Sequence, residues 1–201
     1  MASFHTKIFT LNDDYMTPRY VWENIKQYIP KDQIIWEAFY GDGGSKNILN
    51  EMGFENVIHK PYPQYDFFNY EPEDYGLVLS NPPFSEVKYI MPRLKALDKP
   101  FILIMPCSKI TCGYFRDFVK DIEPHSLQII VPRSRIHFKK LVNGKISKEK
   151  SNANFDCYYY CYKMNLPTDI IFLGDDALKR DKPEWLPKLR IKLKGKYTIK
   201  T

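Results

Sequence analysis

The chain has 201 residues, 44% of them hydrophobic and 15% aromatic, which excludes a disordered chain and suffices for one α/β domain with a sizeable core. No window approaches the roughly 18 apolar residues of a membrane span, and the start, Met1 to Lys7, lacks the apolar stretch of a signal peptide; the expectation is an intracellular protein with no membrane partner. The formal charge of +6 and the pI near 9.0 hint at a polyanionic partner.

Residues 1–14 are polar and irregular. Thr17 is placed to cap, and Pro18 to open, a helix that runs to about Tyr28 and ends at Pro30, burying Val21, Trp22, Ile25 and Tyr28 or Ile29. Ile34 to Phe39 reads as the first strand, Tyr40 to Ser45 as a glycine-rich turn, and Lys46 to Met52 as a helix stopped by Gly53. Phe54 to His59 reads as the second strand and residues 60–65 as a Pro/Tyr loop. Tyr65 to Phe68 reads as a short third strand or turn, and Tyr75 to Ser80 as the fourth strand.

A helix follows from about Glu86 to Leu97, and the near-continuous apolar run Pro100 to Pro106 suits a central parallel strand. Tyr114 to Lys120 is a short helix and Leu127 to Val131 a further strand. Residues 139–150 hold Lys139, Lys140, Lys145, Lys148 and Lys150 against one acid, Glu149, and read as a basic loop. Asn154 to Met164 is an aromatic-rich last strand and Ile170 to Leu173 an apolar turn, before a Pro/Lys-rich tail from about residue 175. Strands alternating with helices predict one domain over 1–201, a doubly wound sheet with a final antiparallel strand. Cys157 and Cys161, four apart in that strand, share a face, and none of the four cysteines forms a C-x-x-C pair; buried thiols and no metal are expected.

Three stretches carry chemistry. Leu77-Val78-Leu79-Ser80 is an apolar run that ends in Asn81-Pro82-Pro83-Phe84, which places Asn81 at the C-terminal edge of a strand, where open α/β sheets bind ligands. The prolines fix the exit of the chain and leave carbonyls free to accept. An amide at Asn81, a carbonyl at Pro82 and a ring at Phe84 suit a planar exocyclic amine: two acceptors for its N–H groups and one surface to stack on. In Glu37-Ala38-Phe39-Tyr40-Gly41-Asp42-Gly43, the glycines at 41 and 43 let backbone approach a ligand, and Glu37 at the strand end can hold a cationic amino group. Arg133, Arg135, Lys145 and Lys148 are placed to hold phosphates, and Phe155 to stack on a target base.

Asn81-Pro82-Pro83-Phe84 resembles the Asn-Pro-Pro-(Phe/Tyr) motif of S-adenosylmethionine-dependent amino-methyltransferases, above all those acting on N6 of adenine, and Glu37 to Gly43 resembles their Asp/Glu-x-Phe-x-Gly-x-Gly motif. The resemblance implies a Rossmann-like class I methyltransferase fold with a mostly parallel seven-stranded sheet and helices on both faces. It implies S-adenosylmethionine as cofactor, with Tyr15, Thr17 and Pro18 against its methionine part. Glu37, Phe39, Gly41 and Gly43 then form the cradle, Asp66 binds the adenine amino group, and Phe67 lies against the adenine ring.

It implies Asn81, Pro82, Pro83 and Phe84 as the catalytic set, and methyl transfer to adenine N6 in nucleic acid, DNA before RNA. The same reaction on tRNA, rRNA or a cap adenosine, methylation of a protein glutamine, and a non-catalytic nucleic-acid-binding subunit are the alternatives. The chain departs from the pattern after the second strand, where His59-Lys60 replaces the acid that holds the cofactor ribose. The compact form, with no separate target-recognition domain, resembles stand-alone enzymes of phages and large DNA viruses. Recognition is then left to short loops, to a second copy of the chain or to a partner subunit.

Overall fold

The computed structural model describes residues 15–142, 145–146 and 155–174, with side chains left out for 140–142 and 145–146. The elements in chain order are β1 (Tyr15–Met16), α1 (Arg19–Glu23), β2 (Ile35–Trp36), α2 (Gly44–Glu51), β3 (Val57–Ile58), β4 (Leu77–Ser80), α3 (Val87–Leu97) and β5 (Phe101–Pro106). They continue as α4 (Gly113–Val119), β6 (Leu127–Val131), β7 (Lys139–Val142), β8 (Lys145–Ile146), β9 (Cys157–Tyr162) and β10 (Ile170–Phe172). Single 3-10 turns follow α1 at Lys26–Tyr28 and β5 at Cys107–Thr111.

Seven strands form one sheet in the order β10-β6-β9-β5-β4-β2-β3. Every pair is parallel except those of β9, which runs antiparallel to both β5 and β6. Period-2 alternation divides the core between two faces. Leu77, Leu79, Ile102, Ile104 and Tyr159 pack with Trp22 and Ile25 below α1 and with Leu49 of α2. Val78, Phe101, Leu103 and Tyr160 pack with Ile90 and Leu94 of α3 and Phe115 and Phe118 of α4. Phe101 to Met105 are each 0% exposed, which is why that strand reads as an unbroken apolar run. Cys157 and Cys161 do share a face, with Tyr159 between them. No helix among the described residues is long and apolar enough to cross a membrane.

Four expectations from sequence change. Thr17 is not a cap: the N-cap of α1 is Pro18 itself, with no side-chain cap bond, and the helix gives way to the 3-10 turn before Tyr28. The first strand is only Ile35–Trp36, although Glu37 N–H still bonds the Ile58 carbonyl at 2.9 Å. Tyr65 to Phe68, expected as a strand or a turn, is the turn, in which the Asp66 carbonyl takes the N–H groups of Asn69 and Tyr70, each at 2.9 Å.

The basic stretch is not a loop throughout. β7 pairs antiparallel with β1, Met16 opposite Lys139, and with β8, Val142 opposite Lys145. The two residues between those strands are Asn143-Gly144, a strong hairpin signal. Ile170–Phe172, expected as a turn, is an edge strand parallel to β6 and supplies the seventh member of the sheet in place of Tyr65 to Phe68. Lys148, Lys150, Asn154 and the tail from 175 lie outside the described residues.

Candidate active site

From β2 the chain moves outward to β3, then returns to the other side of β2 as β4. That reversal creates a crevice at the C-terminal ends of β2 and β4, the topological switch point where such sheets bind ligands. A cleft of about 550 Å³, counted to its open mouth, lies there. Ala38 to Gly41 after β2, and Asn81 and Pro83 after β4, form its inner walls. Tyr15 and Met16 of β1 close one side; Lys60, Tyr62 and Tyr65 after β3 close the other, with Asp66 and Phe67 beside them.

Asn81 is the pivotal side chain. Its Nδ2 donates to the Tyr15 carbonyl at 3.1 Å. A carbonyl can only accept, so the amide NH2 must face Tyr15, and Oδ1 is thereby aimed elsewhere. That oxygen is buried and has no hydrogen-bond partner among the described residues, a costly arrangement that a ligand N–H would relieve.

Beneath the cleft, three strand ends are tied together. Ser80 Oγ at the end of β4 donates to Glu37 Oε1, and Glu37 Oε2 lies against His59 Nε2 just past β3. The same ring nitrogen faces the Tyr40 carbonyl at 3.1 Å. Glu37 is 2% exposed and does not line the cleft, so its carboxylate serves this network and is not presented to a ligand. His59 titrates above its ordinary value: burial disfavours its charge, and the Glu37 hydrogen bond and charge outweigh that, helped by the Tyr40 carbonyl and opposed by Lys46.

The glycine turn rests on this network. Tyr40 stacks its ring on His59 with centroids 4.7 Å apart, and its carbonyl accepts Gly43 N–H at 2.9 Å. Gly41 (φ +56°) lines the cleft, and a Cβ there would meet Met16 Sδ at 3.2 Å. Gly43 (φ +81°) is not among the residues lining the cleft; a Cβ there would meet the Tyr40 hydroxyl at 2.8 Å. Asp66 stands at the cleft with Oδ1 accepting Phe68 N–H at 3.2 Å and Oδ2 accepting from Asn69 Nδ2 at 3.3 Å. Phe67 is 2% exposed and packs on Trp36 and Phe39. Thr17 and Pro18 do not reach the cleft.

Next to the Asn81-Pro82-Pro83 turn four rings converge. Phe84 is 8% exposed and meets Phe155 edge-on at 5.2 Å and Phe138 at 5.9 Å, while Tyr15 meets Phe155 at 5.8 Å. The Phe84 face is therefore covered, and Pro82 beside it is buried. Phe84→Ala should cost about 3–5 kcal/mol of stability, read as a lower melting temperature. Phe84→Leu should keep the fold within about 1.5 kcal/mol, with a melting temperature close to that of the wild type.

Arg133 and Arg135 are exposed past the end of β6. Arg135 is paired two-pronged with Asp156, at 2.7 and 3.2 Å, which partly neutralises its charge. Lys145 lies in β8. No group of three or more potential metal ligands occurs among the described residues. Met16, Tyr40, Lys60, Tyr62 and Tyr65 at the cleft and Phe138 in the ring cluster join the site without being singled out by a motif. The Pro/Tyr composition of residues 60–65 was the available signal for the first group.

The strand order, with its switch point beside β2 and its single antiparallel strand between β5 and β6, is that of a Rossmann-like, mostly parallel seven-stranded α/β sheet. No protein-family model matches the chain, and no curated protein matches it in sequence. Among solved structures it is similar to precorrin-6y C5,15-methyltransferase from Geobacter metallireducens, at 12% identity over 77% of this chain and 97% of that one, with a TM-score of 0.40. It is also similar to tRNA (m1A58) methyltransferase TrmI from Aquifex aeolicus, at 13% identity over 79% of this chain and 77% of that one, TM-score 0.40. A third is a putative methyltransferase from Thermoplasma acidophilum, at 9% identity over 68% of this chain and 58% of that one, TM-score 0.32. At these values the likeness concerns sheet architecture and says nothing of substrate.

Proposed function

We propose that the chain is an S-adenosylmethionine-dependent methyltransferase acting on N6 of adenine in nucleic acid, DNA before RNA. The observation that carries this reading is Asn81 Oδ1: buried, without a partner among the described residues, and at the cleft, with Asn81 Nδ2 on the Tyr15 carbonyl. The cleft suits the cofactor. Gly41 leaves room beside Met16 that a Cβ would fill, Phe39 and Phe67 offer apolar walls, and Asp66 can accept from an adenine amino group. When bound, S-adenosylmethionine supplies an electrophilic methyl group.

The residues of the chain do the positioning. The lone pair of an aromatic amine is delocalised into its ring, so attack on a methyl carbon needs a more tetrahedral nitrogen. Asn81 Oδ1, with the Pro82 carbonyl as second acceptor, draws on the two N–H groups in that geometry. This is orientation and electrostatic stabilisation, and it requires no strong base at the amine. A base in duplex DNA must first be extruded, at a cost of a few kcal/mol.

The reading assigns Arg133, Lys145, Lys148 and Lys150 to the phosphate backbone. Neutralising Lys145, Lys148 and Lys150 together should weaken binding to all sequences alike, and lower the slope of log affinity against log salt by about one unit for each phosphate that is no longer paired. Unchanged affinity and slope would make the stretch a solvated surface. The acceptor class itself is tested by offering the purified protein methyl-labelled S-adenosylmethionine with DNA, RNA and protein in parallel. Label entering nucleic acid supports the reading; label entering protein alone moves the acceptor to a side-chain amide.

A further inference from the structure

The buried Glu37–His59 pair has no place in methyl transfer as derived above, yet it lies directly under the cleft. We propose that His59 is the positioning residue of the glycine turn: its protonated ring, held by Glu37 and by the Tyr40 carbonyl, locks the turn in the form that receives the ligand. Cofactor affinity then follows the protonation of one imidazole. The inference rests on the cofactor reading only for the identity of the ligand.

The geometry joins four segments through one ring. Glu37 belongs to the end of β2, His59 to the end of β3, and Ser80, which binds the other Glu37 oxygen, to the end of β4. Tyr40 belongs to the turn itself, its carbonyl on the imidazole and its ring stacked over it. Ser80 precedes Asn81, and His59 precedes Lys60 at the mouth of the cleft. The charged and titratable groups facing His59 are Glu37 from β2, Tyr40 from the turn and Lys46 from α2, and of these only Glu37 can balance a buried imidazolium. Nε2 lies against the Tyr40 carbonyl and, as an ion-pair contact, against Glu37 Oε2, and a positive charge on the ring strengthens both. A neutral ring leaves the buried Glu37 carboxylate without its counterion and weakens the hold on Tyr40 to that of an uncharged N–H donor.

The sign follows from the shift. His59 is raised above its ordinary value in the folded chain, so the stabilisation is complete below pH 6.5, the ordinary imidazole value, and is lost as the pH rises through the folded midpoint. In the full-length protein, NMR titration should place the His59 ring midpoint above that of an exposed histidine, with the Gly41 and Gly43 amide resonances moving at the same midpoint. Glu37→Gln should lower the midpoint.

Calorimetry with S-adenosylmethionine should give an affinity that is flat below the midpoint and falls by up to about tenfold per pH unit above it. His59→Gln, which keeps an N–H donor but no charge, should flatten that profile while melting as one cooperative unit. Glycine amides that ignore the His59 titration, or an affinity independent of pH in a protein whose His59 does titrate, would overturn the proposal. Glycine amides that follow His59 in a protein that binds no S-adenosylmethionine at any pH would support the lock and defeat the cofactor reading.

Discussion

Replacing Asn81 with alanine should lower kcat by about 100-fold or more, by analogy with the loss of one transition-state hydrogen-bond partner, with cofactor affinity nearly unchanged. The buried Oδ1, without a partner among the described residues, is the group placed to meet an amine. Its interaction strengthens as the nitrogen becomes tetrahedral, so the loss falls on turnover more than on KM. The substitution also removes the Nδ2 bond to the Tyr15 carbonyl, at about 0.5–1.5 kcal/mol of stability. Turnover must therefore be expressed per folded molecule, with the melting temperature measured on the same sample. A strand-ending turn with no chemical role gives the opposite pattern: a lower melting temperature and intact turnover.

Gly41→Val should reduce S-adenosylmethionine binding by at least about 100-fold, if it leaves any. A β-branched side chain at φ +56° is strained, by about 1–3 kcal/mol, and its Cβ comes within 3.2 Å of Met16 Sδ at the cleft wall. Gly53→Val provides the control. Gly53 also has a positive φ, +93°, but nothing lies within 4 Å of its Cβ position, and it follows α2 away from the cleft. That variant should be destabilised and still bind normally. Equal binding by folded Gly41→Val and wild type would remove the glycine turn from the ligand site.

The parts of the fold that were legible are those in which local pattern and burial agree. Phe101 to Met105 is apolar throughout because both sheet faces are covered there, and Leu77 to Ser80 stops at Asn81 because the strand ends at the crevice. The strand, glycine turn and helix around Gly41 were equally plain. The small sheet β1-β7-β8 was not. Tyr15–Met16 pairs with Lys139 and Lys140 more than 120 residues away, and lysines carry no periodic signal of a strand. β10 was missed because edge strands are short, and Ile170 and Phe172 are exposed at 54% and 75%.

The role of Glu37 was illegible for the same reason. Its partners Ser80 and His59 are remote in sequence, and an acid at a strand end has the same pattern whether it faces a ligand or a buried imidazole. Phe138 lay hidden in a basic stretch and shows itself only in its contacts with Phe84 and Tyr15. The packing of the Tyr40 hydroxyl beside Gly43 likewise left no trace in the sequence.

The most direct measurement is the chemical identity of the product. Adenine-containing DNA is incubated with the protein and methyl-labelled S-adenosylmethionine, then digested to nucleosides and separated. Label is expected in N6-methyldeoxyadenosine, and at a rate lower by about 100-fold or more when Asn81→Ala replaces the wild-type chain. Label in a methylated cytosine or on a ring nitrogen of adenine, or no transfer to DNA or RNA by a protein that binds the cofactor, would contradict it.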